Sequence, residues 1–317
     1  MATPKLSLDQ EVMQYLEDFL PRPDQYEIPY RAWVVAKPVA LLVLSHGMAE
    51  HAQRYEGFAD FLNEQNISVW ALEHRGHGEH CPDEDLGHYA DQQGWEKVVA
   101  DLIAFRQFVA EQQPDVPVIL YGHSMGSFIT LASLMENAKG VSGVLLTGCG
   151  SHSRWSLKRD LFGIQLEKLR LGKRGLSKII DHLSFSKFNK HFKPNRTPQD
   201  WLSRDPAEVD LYLQDPYCGF ICTTQLWSDF VNGLVNINDI ENVDKIPKHI
   251  PFGLFSGDED PVGDFGKGVR NLANRLASVG VKDVGLKLYP GGRHEIVNET
   301  NRDEVWFDLR SWVLAHI

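Results

Sequence analysis

Short apolar runs rich in β-branched residues recur along the chain: ALLVLSHG (40–47), ISVWALEHRG (67–76), PVILYGHS (117–124), VSGVLLTGCG (141–150), IPFGLFSGDED (250–260) and VGLKLYPGG (284–292). Strands covered on both faces require such nearly continuous apolar character, and most of these runs end in glycine-containing turns ahead of helical patterns. After Trp95, the positions Val98, Leu102, Phe105 and Val109 recur at four and three residues, the stripe of a helix with one buried face. A second helix is predicted after Ser124 and a last one from Arg302 to Leu314. This alternation predicts an α/β fold, a mostly parallel central sheet with helices on both faces.

Between residues 151 and 244 the alternation stops. Helical spacing takes over, first in Phe162, Leu166 and Leu169, then in Trp227, Phe230, Val231 and Leu234. The expected organisation is a core domain made of residues 1–150 and 245–317, interrupted by a helical subdomain at 151–244.

Charge sharpens that division. The chain carries a net charge of -11, yet residues 151–196 hold twelve Lys and Arg against Asp160, Glu167 and Asp181, a net of +9, which leaves -20 for the remainder. An acidic body repels phosphate and excludes nucleic acid as a general partner. The basic stretch has two readings: a surface that meets anionic lipid, or a solvated lid paired with the acidic body. The opening MATPKLSLDQEVM lacks the basic-then-apolar order of a secretory leader. No stretch reaches the ~18 apolar residues of a membrane span. Cys81, Cys149, Cys218 and Cys222 are too few and scattered for a disulfide framework, so a reduced, cytoplasmic protein is expected.

The strongest chemical signal is Gly122-His123-Ser124-Met125-Gly126, a G-x-S-x-G set between a predicted strand and a predicted helix. Such a turn strains the serine and admits only small residues on either side. It aims Oγ outward and places the Met125 backbone N–H at a helix N-terminus, where an oxyanion is stabilised. A serine needs a base to take its proton and a carboxylate to orient that base. His294, in a glycine-containing loop before the last helix, suits the base; His74, His77 and His80 form a rival cluster that reads as a loop rather than a metal site. In this chain order the carboxylate falls between serine and histidine at a strand end, where FSGDEDPVG offers Asp258, Glu259 and Asp260.

Taken together, SHGMAEHAQRYEGFADFL (45–62), EHRGHGEH (73–80), GHSMGS (122–127), DPYCGF (215–220), SGDEDPV (256–262) and GGRHEIVNE (291–299) resemble the α/β-hydrolases of the monoacylglycerol lipase and bacterial lysophospholipase group, also called the serine aminopeptidase-like family. The resemblance implies Asp260, three residues after Gly257, as the triad acid. It also implies the Met48 backbone N–H, following His46 and Gly47, as the second oxyanion donor beside Met125. One departure stands out: the family's D-x-R-G-x-G begins here with Glu73, for which a structural role in the core is expected. The implied protein is a carboxylic-ester hydrolase acting on monoacylglycerol or lysophospholipid with no metal or organic cofactor. Its insertion would act as a cap whose Phe162, Leu166, Trp227 and Phe230 line an acyl site; of the two readings of its basic stretch, the anionic-lipid one would bring the cap to the inner membrane face peripherally. A peptidase or thioesterase with the same triad and a non-enzymatic, hydrolase-like binding protein are the alternatives.

Overall fold

The six apolar runs form six mutually parallel strands, preceded by two antiparallel ones that the sequence pattern did not single out. A computed structural model describes residues 14–317, so the opening stretch read above as lacking a leader lies outside the described residues. In chain order the strands are β1 (Gln14–Pro21), β2 (Glu27–Val34), β3 (Ala40–Ser45), β4 (Ile67–Leu72), β5 (Val118–His123), β6 (Val141–Thr147), β7 (Phe252–Gly257) and β8 (Val284–Tyr289), hydrogen-bonded in the order 1-2-4-3-5-6-7-8. β2 runs antiparallel to both β1 and β4.

The two early strands escaped detection for physical reasons. β1 is an edge strand that carries Glu17 and Asp18 on a largely exposed surface. β2 contains Pro29 and Arg31, both unusual inside a strand. Pro29 precedes the first β2–β4 pair, Tyr30 with Leu72, and its carbonyl accepts the Glu73 N–H at 2.8 Å. Arg31 is buried because Glu73 meets its guanidinium at 2.7 Å.

Every residue of β3, β4 and β5 is buried, and successive side chains enter opposite layers. Leu41 and Val43 join a core shared with α2 (Gly94–Gln112) and α3 (Met125–Glu136), whereas Leu42 and Leu44 join one shared with α1 (Glu56–Asn63). Val98, Leu102, Phe105 and Val109 of α2 face the sheet as their spacing predicts.

Between β6 and β7 the chain forms α4 (Arg154–Leu171), α5 (Lys178–Asp181), α6 (Pro206–Gln214), α7 (Thr224–Ile237) and α8 (Ile240–Val243). Their starts are locally encoded. Asp205 caps α6 with Pro206 in its first turn, and the Thr223 hydroxyl accepts the Leu226 N–H of α7 at 3.2 Å. After β7 come α9 (Lys267–Ser278) and, closing the chain, α10 (Arg302–Ala315). The α7 positions Trp227, Phe230, Val231 and Leu234 are buried. The α4 spacing, in contrast, marks the outer face: Phe162, Leu166 and Leu169 are exposed, while Leu157 and Ile164 point inward. A helix apolar on two sides offers two stripes, and sequence spacing alone does not choose between them.

Candidate active site

Ser124 occupies the turn from β5 into α3 with φ 51° and ψ -120°, a region that costs a non-glycine residue on the order of 1–3 kcal/mol. The surroundings hold it there. Its N–H donates to the Thr147 carbonyl at 2.9 Å, and its own carbonyl accepts the Ser127 hydroxyl at 2.6 Å. Gly126 is required by close approach, since a Cβ there would run into the carbonyl oxygens of Ser45 and His46. Gly126→Ala is therefore expected to lower the urea midpoint by the equivalent of about 2 kcal/mol, the range of core overpacking. An unchanged midpoint with intact activity would show that the turn has slack.

The three acids after β7 have separate tasks. Asp260 is fully buried, and its Oδ1 lies 2.9 Å from His294 Nδ1 while also accepting the Val262 N–H at 2.9 Å. Asp258 Oδ1 accepts the Gly291 N–H at 2.7 Å, pinning the loop that carries His294. Glu259 reaches out to His191 at 2.9 Å. Burial pulls the His294 imidazole toward a lower pKa, but the charge and hydrogen bond of Asp260 outweigh it, and the net shift is upward. A buried carboxylate that accepts Nδ1–H leaves the Nε2 lone pair open to a proton and favours the imidazolium form.

Other contacts around His294 carried no sequence signal. The His123 ring centroid lies 4.8 Å from that of His294, and burial holds His123 at about 4, hence neutral. Trp201, from the helical segment, packs its ring 4.9 Å from His294, and its carbonyl accepts the His294 N–H at 3.3 Å. Glu295 N–H donates to the Leu202 carbonyl at 2.8 Å, and Arg293 Nη1 donates to the carbonyls of Asp200 and Ser203. The backbone of segment 200–203 thus grips the histidine loop, through two main-chain bonds available to any sequence and through the Arg293 guanidinium.

Met125 begins α3 and Met48 lies in the turn after β3; among the described residues, neither backbone N–H has a hydrogen-bond acceptor. Below that turn, Glu73 is buried against His46 at 3.2 Å and Arg31 at 2.7 Å, and accepts the Ala52 N–H at 3.2 Å. Burial alone would raise its carboxyl, but His46 and Arg31 hold it at about 2. Glu73 ties the segment after β3 to the core.

The four residues expected to line an acyl site do not come together. Phe162 and Leu166 are exposed, whereas Trp227 and Phe230 are buried. Phe230 packs between Trp95 of α2 and Phe128 of α3, so its burial is part of the core. A row of rings nevertheless leads from the histidine: Trp201 to Phe185 at 5.9 Å, then Phe185 to Trp227 at 5.7 Å.

His74 and His77 are buried and bond Ser45 Oγ and the Arg75 carbonyl, while His80 bonds Glu17 on the surface, so the three do not form a ligand set. Among the described residues, His51, Asp215 and Cys218, and separately Glu17, Glu79 and His80, place potential ligand atoms within 4.8 Å of one another. The first group is already used internally, since His51 Nε2 bonds Asp215 at 2.7 Å. No helix among the described residues is long and apolar enough to cross a membrane.

A family model described as serine aminopeptidase, S33 matches residues 36–301. The monoacylglycerol lipase of Mycolicibacterium smegmatis is 29% identical over 294 residues, 92% of this chain and 94% of that protein. The monoglyceride lipase of Rattus norvegicus is 29% identical over 288 residues, 88% of this chain and 84% of that protein. Among solved structures, a thermostable carboxyl esterase from Bacillus coagulans superimposes with a TM-score of 0.87 at 29% identity, covering 96% of this chain and 99% of that one.

Proposed function

The chain belongs to the serine aminopeptidase, S33 family of α/β-hydrolases and is a carboxylic-ester hydrolase, and from that premise we propose that it cleaves monoacylglycerol-type lipid esters through Ser124, His294 and Asp260. The observation that carries the reading is the buried Asp260–His294 pair, whose imidazole packs 4.8 Å from the ring of His123, the residue before the strained Ser124.

Ser124 Oγ attacks the ester carbonyl while His294 Nε2 takes its proton. The backbone N–H groups of Met48 and Met125 hold the oxyanion, and His294 returns the proton to the departing alcohol. Water, deprotonated by the same nitrogen, then cleaves the acyl-enzyme. Asp260 keeps Nδ1–H pointed at itself and stabilises the transient imidazolium.

The helical segment 151–244 acts in this reading as a cap. Its Trp201, Phe185 and Trp227 rings supply an apolar wall that begins at His294, in keeping with an acyl chain. Long relatives named for monoacylglycerol or monoglyceride favour a glycerol leaving group. Fatty-acid release from monoacylglycerol and lysophospholipid of matched chain length tests this. Turnover of monoacylglycerol is expected, and cleavage confined to thioesters or peptides would remove the lipid assignment.

The outer face of the cap favours contact with anionic lipid. Trp155, Phe162 and Leu169 are exposed along α4, at 86%, 67% and 84%. Part of the basic stretch pairs with acids, as in Arg174 with Asp85 and Arg154 with Asp239. Lys158, Lys168, Lys178, Lys187, Lys190 and Lys193 have no carboxylate within 4.0 Å among the described residues. Near an anionic surface each such cation contributes about 1 kcal/mol. Co-sedimentation with anionic vesicles is expected to exceed that with neutral ones and to fall with salt; equal binding to both would sink the idea.

A further inference from the structure

The loop bearing Met48 and the loop bearing His294 hang from distant strands. β3 and β8 are separated by four strand spacings, about 19 Å at ~4.8 Å each, yet both loops reach His123, the residue before Ser124: a Cβ on Gly47 would lie 3.2 Å from its ring, and the His294 ring packs 4.8 Å from it. A buried triplet of charges joins them. Glu50 Oε1 accepts the Gly47 N–H at 2.5 Å and the Tyr55 hydroxyl at 2.9 Å. Arg54 Nη1 donates to Glu50 Oε2 and to Glu295 Oε1, and Nη2 donates to Glu295 Oε2, each at 2.7 Å. Glu50 and Glu295 are both buried, and Glu295 directly follows His294.

We propose that Glu50, Arg54 and Glu295 are positioning residues for ester hydrolysis, locking the Met48 N–H and the His294 ring into one frame and setting a net negative charge beside that ring. The inference deepens the Ser124, His294 and Asp260 reading and rests on it. A planar guanidinium suits this task because it offers several donors in a fixed fork, so one side chain grips both loops. Burial would raise the Glu295 carboxyl, but Arg54 overrides it and holds it below the usual carboxylate range. Two carboxylates share one guanidinium, a formal net charge of -1 for the triplet.

The groups facing His294 are Asp260 after β7, His123 at the end of β5, Glu50 and Arg54 on the segment after β3, and Glu295 on its own loop. His123 is neutral and Arg54 is shared between two carboxylates. The balance favours the cation that His294 becomes when Ser124 gives up its proton. Glu295 and Glu50 both act on His294 in that direction, after Asp260.

Two variants separate frame from charge. Arg54→Lys keeps the cation but loses the fork. It is expected to lower kcat ten- to a hundredfold with little change in KM, since a misplacement of ~1 Å costs on the order of 10²-fold. Glu295→Gln keeps the shape but removes a charge. Because His294 works only when neutral, a lower pKa moves the acid limb of kcat/KM to lower pH. Melting curves accompany both, and a fluorophosphonate probe reports whether Ser124 is labelled in the wild type. Wild-type kcat in Arg54→Lys with an unmoved limb in Glu295→Gln overturns the proposal. So does a kcat loss that only follows unfolding at the assay temperature. A wild type that resists labelling at Ser124 fails earlier, at the triad reading, and takes this inference with it.

Discussion

Ser124→Ala is expected to lower kcat on monoacylglycerol by on the order of 10⁶-fold, the loss seen when the nucleophile of a serine triad is removed. The size follows from the division of labour. Without Oγ there is no acyl-enzyme, and His294 and the two N–H groups can only assist direct attack by water. Folding should be unaffected, because no side-chain hydrogen bond caps α3 at Ser124 and the turn is held by backbone bonds to Thr147 and Ser127. The check is initial-rate kinetics with a melting curve beside it. Alanine also removes the site of fluorophosphonate labelling, so a variant that still turns over and still labels would place the nucleophile elsewhere.

Asp260→Asn should lower kcat by at most about 10⁴-fold, the loss that an inverted histidine tautomer brings, with the fold retained. An amide presents either an oxygen or an NH₂ to His294 Nδ1. If the NH₂ faces the ring, Nδ1 must accept and Nε2 carries the proton, so the base is lost. If the oxygen faces the ring, the tautomer survives but the negative charge that stabilises the imidazolium does not. The Val262 N–H, 2.9 Å from Oδ1, favours keeping oxygen on that side, so loss of charge is the main effect. The signature is a kcat/KM acid limb displaced to lower pH, because the upward pull on His294 has gone. Asp258→Asn is the control. Its Oδ1 bond to the Gly291 N–H can be kept by an amide oxygen, and a few-fold change at most is expected. A larger loss in Asp258→Asn than in Asp260→Asn would reverse the assignment of the acid.

Much of the frame was legible because burial dictates residue type. The parallel strands had to be apolar on both faces, and they read as continuous runs; the helix over Val98, Leu102, Phe105 and Val109 had to bury one stripe, and it read as spacing. The Ser124 turn was legible through its glycines, since Gly126 sits against the carbonyls of Ser45 and His46 and Gly122 against Ser127 Cα and the Gly126 carbonyl. Where a rule had two solutions, the pattern failed. β1 and β2 carry charge and proline because an edge strand and a Glu73-paired Arg31 tolerate them. In α4 the apolar stripe chosen from spacing lies on the outside.

Local sequence set the strand–helix alternation, the glycine-flanked Ser124 turn, the chain order of Ser124, Asp260 and His294, and the reversal of charge within residues 151–196. Only the tertiary structure decided how the acids after β7 divide their tasks, that Trp201 packs on His294 and that its segment grips the histidine loop by backbone bonds, and that Arg54 links loops about 19 Å apart at their strands. The reason is one of range. Periodicity and turn chemistry act over a few residues and leave their mark on residue type, whereas contacts between 54 and 295, or between 201 and 294, depend on where the whole sheet places its strand ends.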